Sequence, residues 1–276
     1  MRIYAFADEA GPLIDSQIAA MRRNGLAGLE IRGVDGINVS DITPQKAREV
    51  RLKLDDAGLV TWSVGSPIGK IGIADDFSAH LDKLRRTLET ACILGAEKLR
   101  MFSFFMPKDT DPGIYRDEVL EKLLRMAEAA AGSGVQLCHE NEKGIYGDTA
   151  SRCAEIHRAI PALKAVFDPA NFIQCGQDTL EAWEQLAPYV DYLHIKDALP
   201  DGSVVPAGCG AGHVGEILCR YAAQGGSAVT LEPHLAVFDG LKDLEQEGNT
   251  SHIGKYVYPS NDAAFDAACT ALKHLL

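Results

Sequence analysis

A chain of 276 residues with ordinary apolar, charged and glycine content is long enough to bury a substantial core, as two small domains or one large one. Its formal net charge of -12 argues against a surface that neutralises many nucleic-acid phosphates, and no run of about 20 apolar residues offers a membrane span. The seven cysteines are scattered and never form a C-x-x-C pair, which indicates neither a disulfide framework nor a thiolate zinc site; with no signal-peptide pattern after Met1, the cytoplasm is the expected compartment.

The chain opens with "RIYAFADEA", whose alternating apolar residues predict a first strand, followed by a helix from about Pro12 to Arg23 closed by Gly25. "GLEIRGVDG" predicts a second strand. The next helix starts at Thr43 as N-cap with Pro44 in its first turn and stops at Gly58. Strand three is "LVTWSVGS", helix three runs from about Asp76 to Leu94, strand four is "EKLRMFSFF", and helix four is "YRDEVLEKLLRMAEAAAG". Then follow strand "VQLCHENE", helix "TASRCAEIHRAI", strand "LKAVFDP", helix "TLEAWEQLAPY", strand "VDYLHIKD", helix "HVGEILCRYAAQGG", strand "AVTLEPH" and a last helix from about Asn261 to His274.

Eight strand-helix pairs at a spacing of roughly 25 to 40 residues have the repeat length of β/α units, and parallel strands joined by helical crossovers close into a (β/α)₈ TIM barrel. The expectation is therefore a single TIM-barrel domain spanning residues 1–276, with its site at the loops that follow the strands. Alternation agrees with this. Leu29, Leu99, Leu193, Ile195, Val229 and Leu231 share one strand face, while Glu30, Arg32, Arg100, His194, Lys196, Thr230 and Glu232 lie on the other and point into the barrel. An open doubly wound sheet would bring only its switch-point strands together.

Four successive strands end on a chemically similar residue: Glu140, Asp168, His194 and Glu232. Taken singly, a carboxylate at a strand end is usually a helix cap or an ion-pair partner, and a lone histidine is usually packed or solvated. On adjacent strands about 4.8 Å apart, however, three carboxylates and one imidazole at a common level suit one divalent ion, whether manganese, cobalt, magnesium or zinc.

The order Glu, Asp, His, Glu in the settings "HEN", "FDPAN", "LHIKD" and "LEPH", with "GLEIR" at strand two and the glycine-rich "PAGCGAGH" after strand seven, resembles the xylose isomerase-like barrel superfamily. That superfamily contains sugar phosphate isomerases/epimerases, ketose 3-epimerases and inosose dehydratases. The resemblance covers essentially the whole chain. It implies Glu140, Asp168, His194 and Glu232 as metal ligands, with Glu140 and Glu232 doubling as the acid/base pair. In such chemistry a metal chelating the carbonyl and a neighbouring hydroxyl stabilises an enediolate while two carboxylates exchange the proton. Return to the other face gives epimerisation, return to the next carbon gives isomerisation, and loss of a β-hydroxyl gives an inosose-type dehydration.

Candidate substrate contacts are Asn171, three residues after Asp168, and Lys196, together with Arg32, Lys70 and Arg100, each of which alternatively serves a structural ion pair. His234 and His139 flank the ligands, and the loop from Gly208 to Gly212 is a weak candidate for a phosphate-cradling turn. Where relatives often show Gly-Glu-Gly, this chain has Gly208-Cys209-Gly210, so no glutamate role carries over. The expected partner is a small sugar, sugar phosphate or cyclitol, with no nucleic acid, no membrane and room for a homo-oligomer; the segment 237–258 is a lid or a subunit contact. An apurinic endonuclease of the zinc type is disfavoured because Asn171 stands where its cluster would want a histidine. A non-catalytic sugar-binding barrel is disfavoured because both Glu140 and Glu232 are present.

Overall fold

A computed structural model of the chain describes residues 1–238 and 253–276. Eight parallel strands form a closed barrel: β1 (Arg2–Ala5), β2 (Gly28–Ile31), β3 (Val60–Gly65), β4 (Lys98–Met101), β5 (Gln136–Glu140), β6 (Lys164–Phe167), β7 (Val190–Ile195) and β8 (Ala228–Leu231). Each pairs with its neighbours in sequence, and β1 closes on β8 in the register Arg2 with Ala228 through Ala5 with Leu231. Around the barrel lie α1 (Ile14–Arg23), α2 (Pro44–Ala57), α3 (Phe77–Leu94), α4 (Arg116–Ala130), α5 (Ala150–Ala159), α6 (Pro169–Gln174), α7 (Thr179–Leu186), α8 (Val214–Ala223) and α9 (Asn261–Lys273). This is the predicted (β/α)₈ TIM barrel.

Local chemistry sets the helix ends. Thr43 Oγ1 accepts the Lys46 amide at 3.1 Å to cap α2, and Gly58 ends it in the left-handed region at φ 71°. The first helix begins later than its sequence predicts, at Ile14, because Leu13 is still extended. Its cap comes from a distance: Asp35 Oδ1 accepts the Ile14 amide at 2.8 Å, while the Pro12 carbonyl accepts the Asp35 amide at 2.9 Å. Tertiary contact, invisible in a local window, replaces proline as the start signal.

Two apolar layers hold the barrel. The outward strand residues Leu29, Leu99, Leu193, Ile195, Val229 and Leu231 are buried with helix residues such as Val50, Leu84, Leu123, Ile156 and Ile217. Inside, Tyr4, Trp62, Cys138, Val166, Tyr192 and Ala228 form a separate plug, with Tyr4 stacked on Trp62 at 4.7 Å. This plug fills the floor and leaves the polar residues above it at the strand ends. Among the described residues no helix is long and apolar enough to cross a membrane. Most of the segment predicted as lid or subunit contact, residues 239–252, lies outside the described residues.

Candidate metal centre

The strand ends bring Glu140 (β5), Asp168 (after β6), His194 (β7) and Glu232 (after β8) together as buried side chains whose candidate ligand atoms all lie within 4.8 Å of one another. Each arrives by the same device. The outward neighbours Leu193, Ile195 and Leu231 pack under the helices, so the pleat turns the intervening residues inward.

His194 stands at the centre. Its Nδ1 lies 2.9 Å from Glu140 Oε1 and 3.5 Å from Glu232 Oε2, while Nε2 lies 3.1 Å from Glu30 Oε2. Burial disfavours the imidazolium, but the carboxylates of Glu140 and Glu30 outweigh it and raise its pKa well above the ordinary value. Glu30 is itself held by Tyr192 Oη at 3.0 Å and Ser63 Oγ at 3.2 Å, which fixes the ring from behind. Glu30 was legible only as an inward-facing residue of β2; its grip on His194 depends on β2 and β7 facing each other across the barrel.

Asp168 has two roles that its oxygens separate. Oδ1 accepts the Asn171 amide at 3.0 Å and so caps α6, a six-residue helix absent from the sequence-predicted elements. Oδ2 accepts no well-aligned hydrogen bond and faces Lys196 Nζ at 2.9 Å. Burial pushes the Asp168 carboxyl up to about 7 against the pull of Lys196. Lys196 also reaches Glu232 Oε2 at 3.1 Å; its burial is outweighed by Asp168 and Glu232, so its pKa is raised. Glu232 is held well below the usual carboxylate range, with Lys196, His234 and His194 overcoming its burial.

The remaining predicted contacts line the same mouth. Asn171 Nδ2 donates to Glu140 Oε1 at 3.3 Å and to the Asn141 carbonyl at 2.9 Å. Arg100 Nη1 donates to Glu140 Oε2 at 2.9 Å. Lys70 Nζ reaches Glu142 Oε2 at 3.2 Å; although burial alone would raise the Glu142 pKa, Lys70 and Lys143 hold it at about 2. Arg32 is a structural ion-pair centre: Nε and Nη2 grip Asp8 at 2.9 and 3.0 Å, Nη2 reaches Glu9 at 3.0 Å, and Nη1 reaches Glu232 at 3.3 Å. Asp8 and Glu9, which follow β1, were not among the sequence candidates, since nothing local distinguishes them from solvated loop acids. Burial pushes the Glu9 carboxyl up to about 8 despite Arg32.

His234, left-handed at φ 45°, donates its amide to Glu9 Oε2 at 2.6 Å and places Nε2 3.5 Å from Glu232 Oε1. His139 faces the outer layer, bonded to Ser103 Oγ at 2.9 Å and away from the four-residue cluster. The glycine-rich loop is not an open phosphate cradle: the amides of Gly208, Gly210 and Gly212 all donate to the Asp197 carboxylate at 2.9 Å. An internal carboxylate has taken those donors.

The four-residue cluster fits a divalent ion. It offers three carboxylates and an imidazole, buried and converging, with Asp168 Oδ2 held among the described residues only by the Lys196 ion pair and Glu30 placed behind His194 as an orienting carboxylate.

Comparison with solved structures gives the same fold. The chain is similar to a protein described as the probable 3-DHS dehydratase AsbF from Bacillus anthracis, with TM-score 0.75, 17% identity and 99% of each chain covered. It is also similar to the D-psicose 3-epimerase of Clostridium cellulolyticum H10, determined with D-tagatose, with TM-score 0.75, 14% identity and coverage of 100% of this chain and 98% of that one. A protein named IOLI, determined with a zinc atom, matches with TM-score 0.75, 14% identity and the same coverages. No curated protein matches in sequence. At these identities the structural likeness establishes the architecture and not the reaction. Residues 18–235 match the family described as xylose isomerase-like TIM barrel, and the chain belongs to that family.

Proposed function

We propose that the protein is a divalent-metal-dependent isomerase or epimerase of a sugar, sugar phosphate or cyclitol, moving a proton next to a carbonyl with Glu140 and Glu232 as the acid/base pair. The observation that carries this is the paired environment of the two glutamates. Each directs one oxygen towards His194 Nδ1, at 2.9 and 3.5 Å, and each binds an arginine through the other, Arg100 at 2.9 Å and Arg32 at 3.3 Å. The similar epimerase and zinc-containing proteins support the same reading.

In this reading Glu140, Asp168, His194 and Glu232 hold the ion. Such an ion supplies Lewis acidity that stabilises the enolate charge developing on the substrate. The arginine contacts keep both glutamates oriented, so that one removes the proton and the other returns it, to the opposite face or to the next carbon. Asn171 Oδ1, an acceptor with no partner among the described residues, and the Lys196 ammonium beside Glu232 can bind substrate hydroxyls.

A second outcome on the same site is dehydration: the buried Lys196 ammonium beside Glu232 can hydrogen-bond a departing hydroxyl while the glutamate that took the proton returns it to that oxygen. The similarity to a protein described as a dehydratase supports that alternative.

The test is incubation of the manganese-, cobalt- or magnesium-loaded protein with ketoses, ketose phosphates and inososes in deuterated water, followed by NMR. Carbon-bound deuterium is expected in the wild type, with a rate loss on the order of 10²-fold or more in both Glu140→Gln and Glu232→Gln. An unaltered rate in either variant removes that residue from the mechanism. Loss of water from the product selects the dehydratase.

A further inference from the structure

Arg100 carries an edge that no described residue fills. It projects from β4 into the barrel mouth and is 2% exposed. Its Nη1 holds Glu140 Oε2 at 2.9 Å, yet Nε and Nη2 have no hydrogen-bond partner among the described residues. Buried charged donors left dry are costly, so such an edge marks the place of a ligand.

Arg32 shows what the edge is shaped for. It projects from the end of β2 into the same mouth, and its Nε and Nη2 grip the Asp8 carboxylate side-on at 2.9 and 3.0 Å. The same two atoms of Arg100 lack an acid to hold. A guanidinium edge of this kind matches the two oxygens of a carboxylate.

The surroundings narrow the choice further. The Arg100 guanidinium lies 4.6 Å from the Phe102 ring and 5.4 Å from the Phe6 ring. A Cβ on Gly65 would fall 3.1 Å from Nη2 and 2.4 Å from Phe6 Cε1, so glycine is what lets the ring and the guanidinium pack this closely against β3. The Nε and Nη2 donors lie in one plane beside these rings, and a planar carboxylate meets both of them in that plane. Lys70 Nζ stands 4.5 Å over the same Phe102 ring and adds positive potential there.

We propose that the Nε and Nη2 edge of Arg100 receives a carboxylate of the substrate, so that the molecule turned over is a polyhydroxylated keto acid. This rests on the proton-transfer reading of the site, because Arg100 then bridges the substrate anion and Glu140 through one guanidinium. Binding the carboxylate registers the carbon skeleton against Glu140, and neutral ketoses lack that anchor.

Three compounds with one skeleton test it: D-fructuronate, D-fructose and D-fructose 6-phosphate, titrated by calorimetry into the full manganese-loaded chain. D-fructuronate is expected to bind about 30-fold or more tightly than D-fructose, the worth of a bidentate charged contact. Arg100→Lys keeps the charge but loses the fork, and Arg100→Met loses both. Both are expected to bring D-fructuronate down to the affinity of D-fructose, with folding checked by circular dichroism.

Equal or tighter binding of D-fructose or its phosphate overturns the proposal, as does an acid preference that survives in either variant. Deuterium exchange separates this from the reaction itself. Arg100-dependent acid binding without exchange into any ketone upholds the carboxylate site and overturns the isomerase reading. Exchange into ketones in the wild type, together with D-fructuronate binding that Arg100→Lys and Arg100→Met leave unaltered, does the reverse.

Discussion

Glu30 lies on the far side of His194 from the other three residues of the candidate metal cluster, and its contact with Nε2 bears on how the imidazole presents Nδ1. With Glu30 Oε2 at 3.1 Å from Nε2, the ring is fixed in orientation and made more basic. Glu30→Gln is expected to weaken divalent-metal affinity about 10- to 100-fold, measured by competition with a fluorescent chelator; unchanged affinity would show that the ring is held by packing alone. Two other buried histidines contribute to the loss of stability in acid. His80 Nε2 accepts the Gly69 amide at 2.7 Å, and His157 Nδ1 lies 3.2 Å from the Leu163 carbonyl; burial lowers both pKa values from 6.5 to about 4. Between those values the unfolded chain binds more protons, so their contribution is whole above pH 6.5 and is lost as pH falls towards 4. Denaturant titrations should show stability falling over that window by on the order of 2 kcal/mol for each histidine, with a shallower fall in His157→Gln.

The elements differ in how far a local pattern determines them. Strands with period-two alternation and helices with capping residues were readable, and the inward set Arg100, His194, Lys196 and Glu232 followed from the alternation alone. The short α6 was not, because six residues carry too little periodicity and Asp168 serves as both its cap and a member of the cluster. Nor was the function of the glycine-rich loop, since sequence displays the glycines but not the acid that claims their amides. Asp197 organises that loop, and a Cβ on Gly210 would fall 2.3 Å from Asp197 Oδ1 and 2.4 Å from the Ala198 carbonyl. Gly210→Ala is therefore expected to cost about 2 kcal/mol or more in chemical denaturation. Gly225, where a Cβ meets nothing within 4 Å but φ is 89°, gives a comparison in which only backbone strain acts.

At the scale of the whole barrel, an apolar floor of Tyr4, Trp62 and Tyr192 lies beneath a layer of opposed charges. Removing one partner of a buried pair is costly, whereas a bound cation shares the burden among several acids. Manganese at about 100 times its dissociation constant should add about 2.7 kcal/mol to stability, raising the melting temperature by several degrees, and chelation should reverse it. A melting temperature indifferent to both would argue that Lys196 and His194 already satisfy the acids. The overall topology was the most legible level, because eight repeated units constrain it jointly. The contacts across the mouth were the least legible, since they join residues from different strands.

The contacts of Arg32 bear on how the protein is made. Asp8 and Glu9 leave the ribosome more than 200 positions ahead of Glu232 and His234, which complete their cluster. Pairing of β1 with β8 has the same long separation, so ring closure must wait until all eight strands have been made. Until then the nascent chain carries two unprotected sheet edges, and chaperone capture should peak just before the eighth strand leaves the exit tunnel.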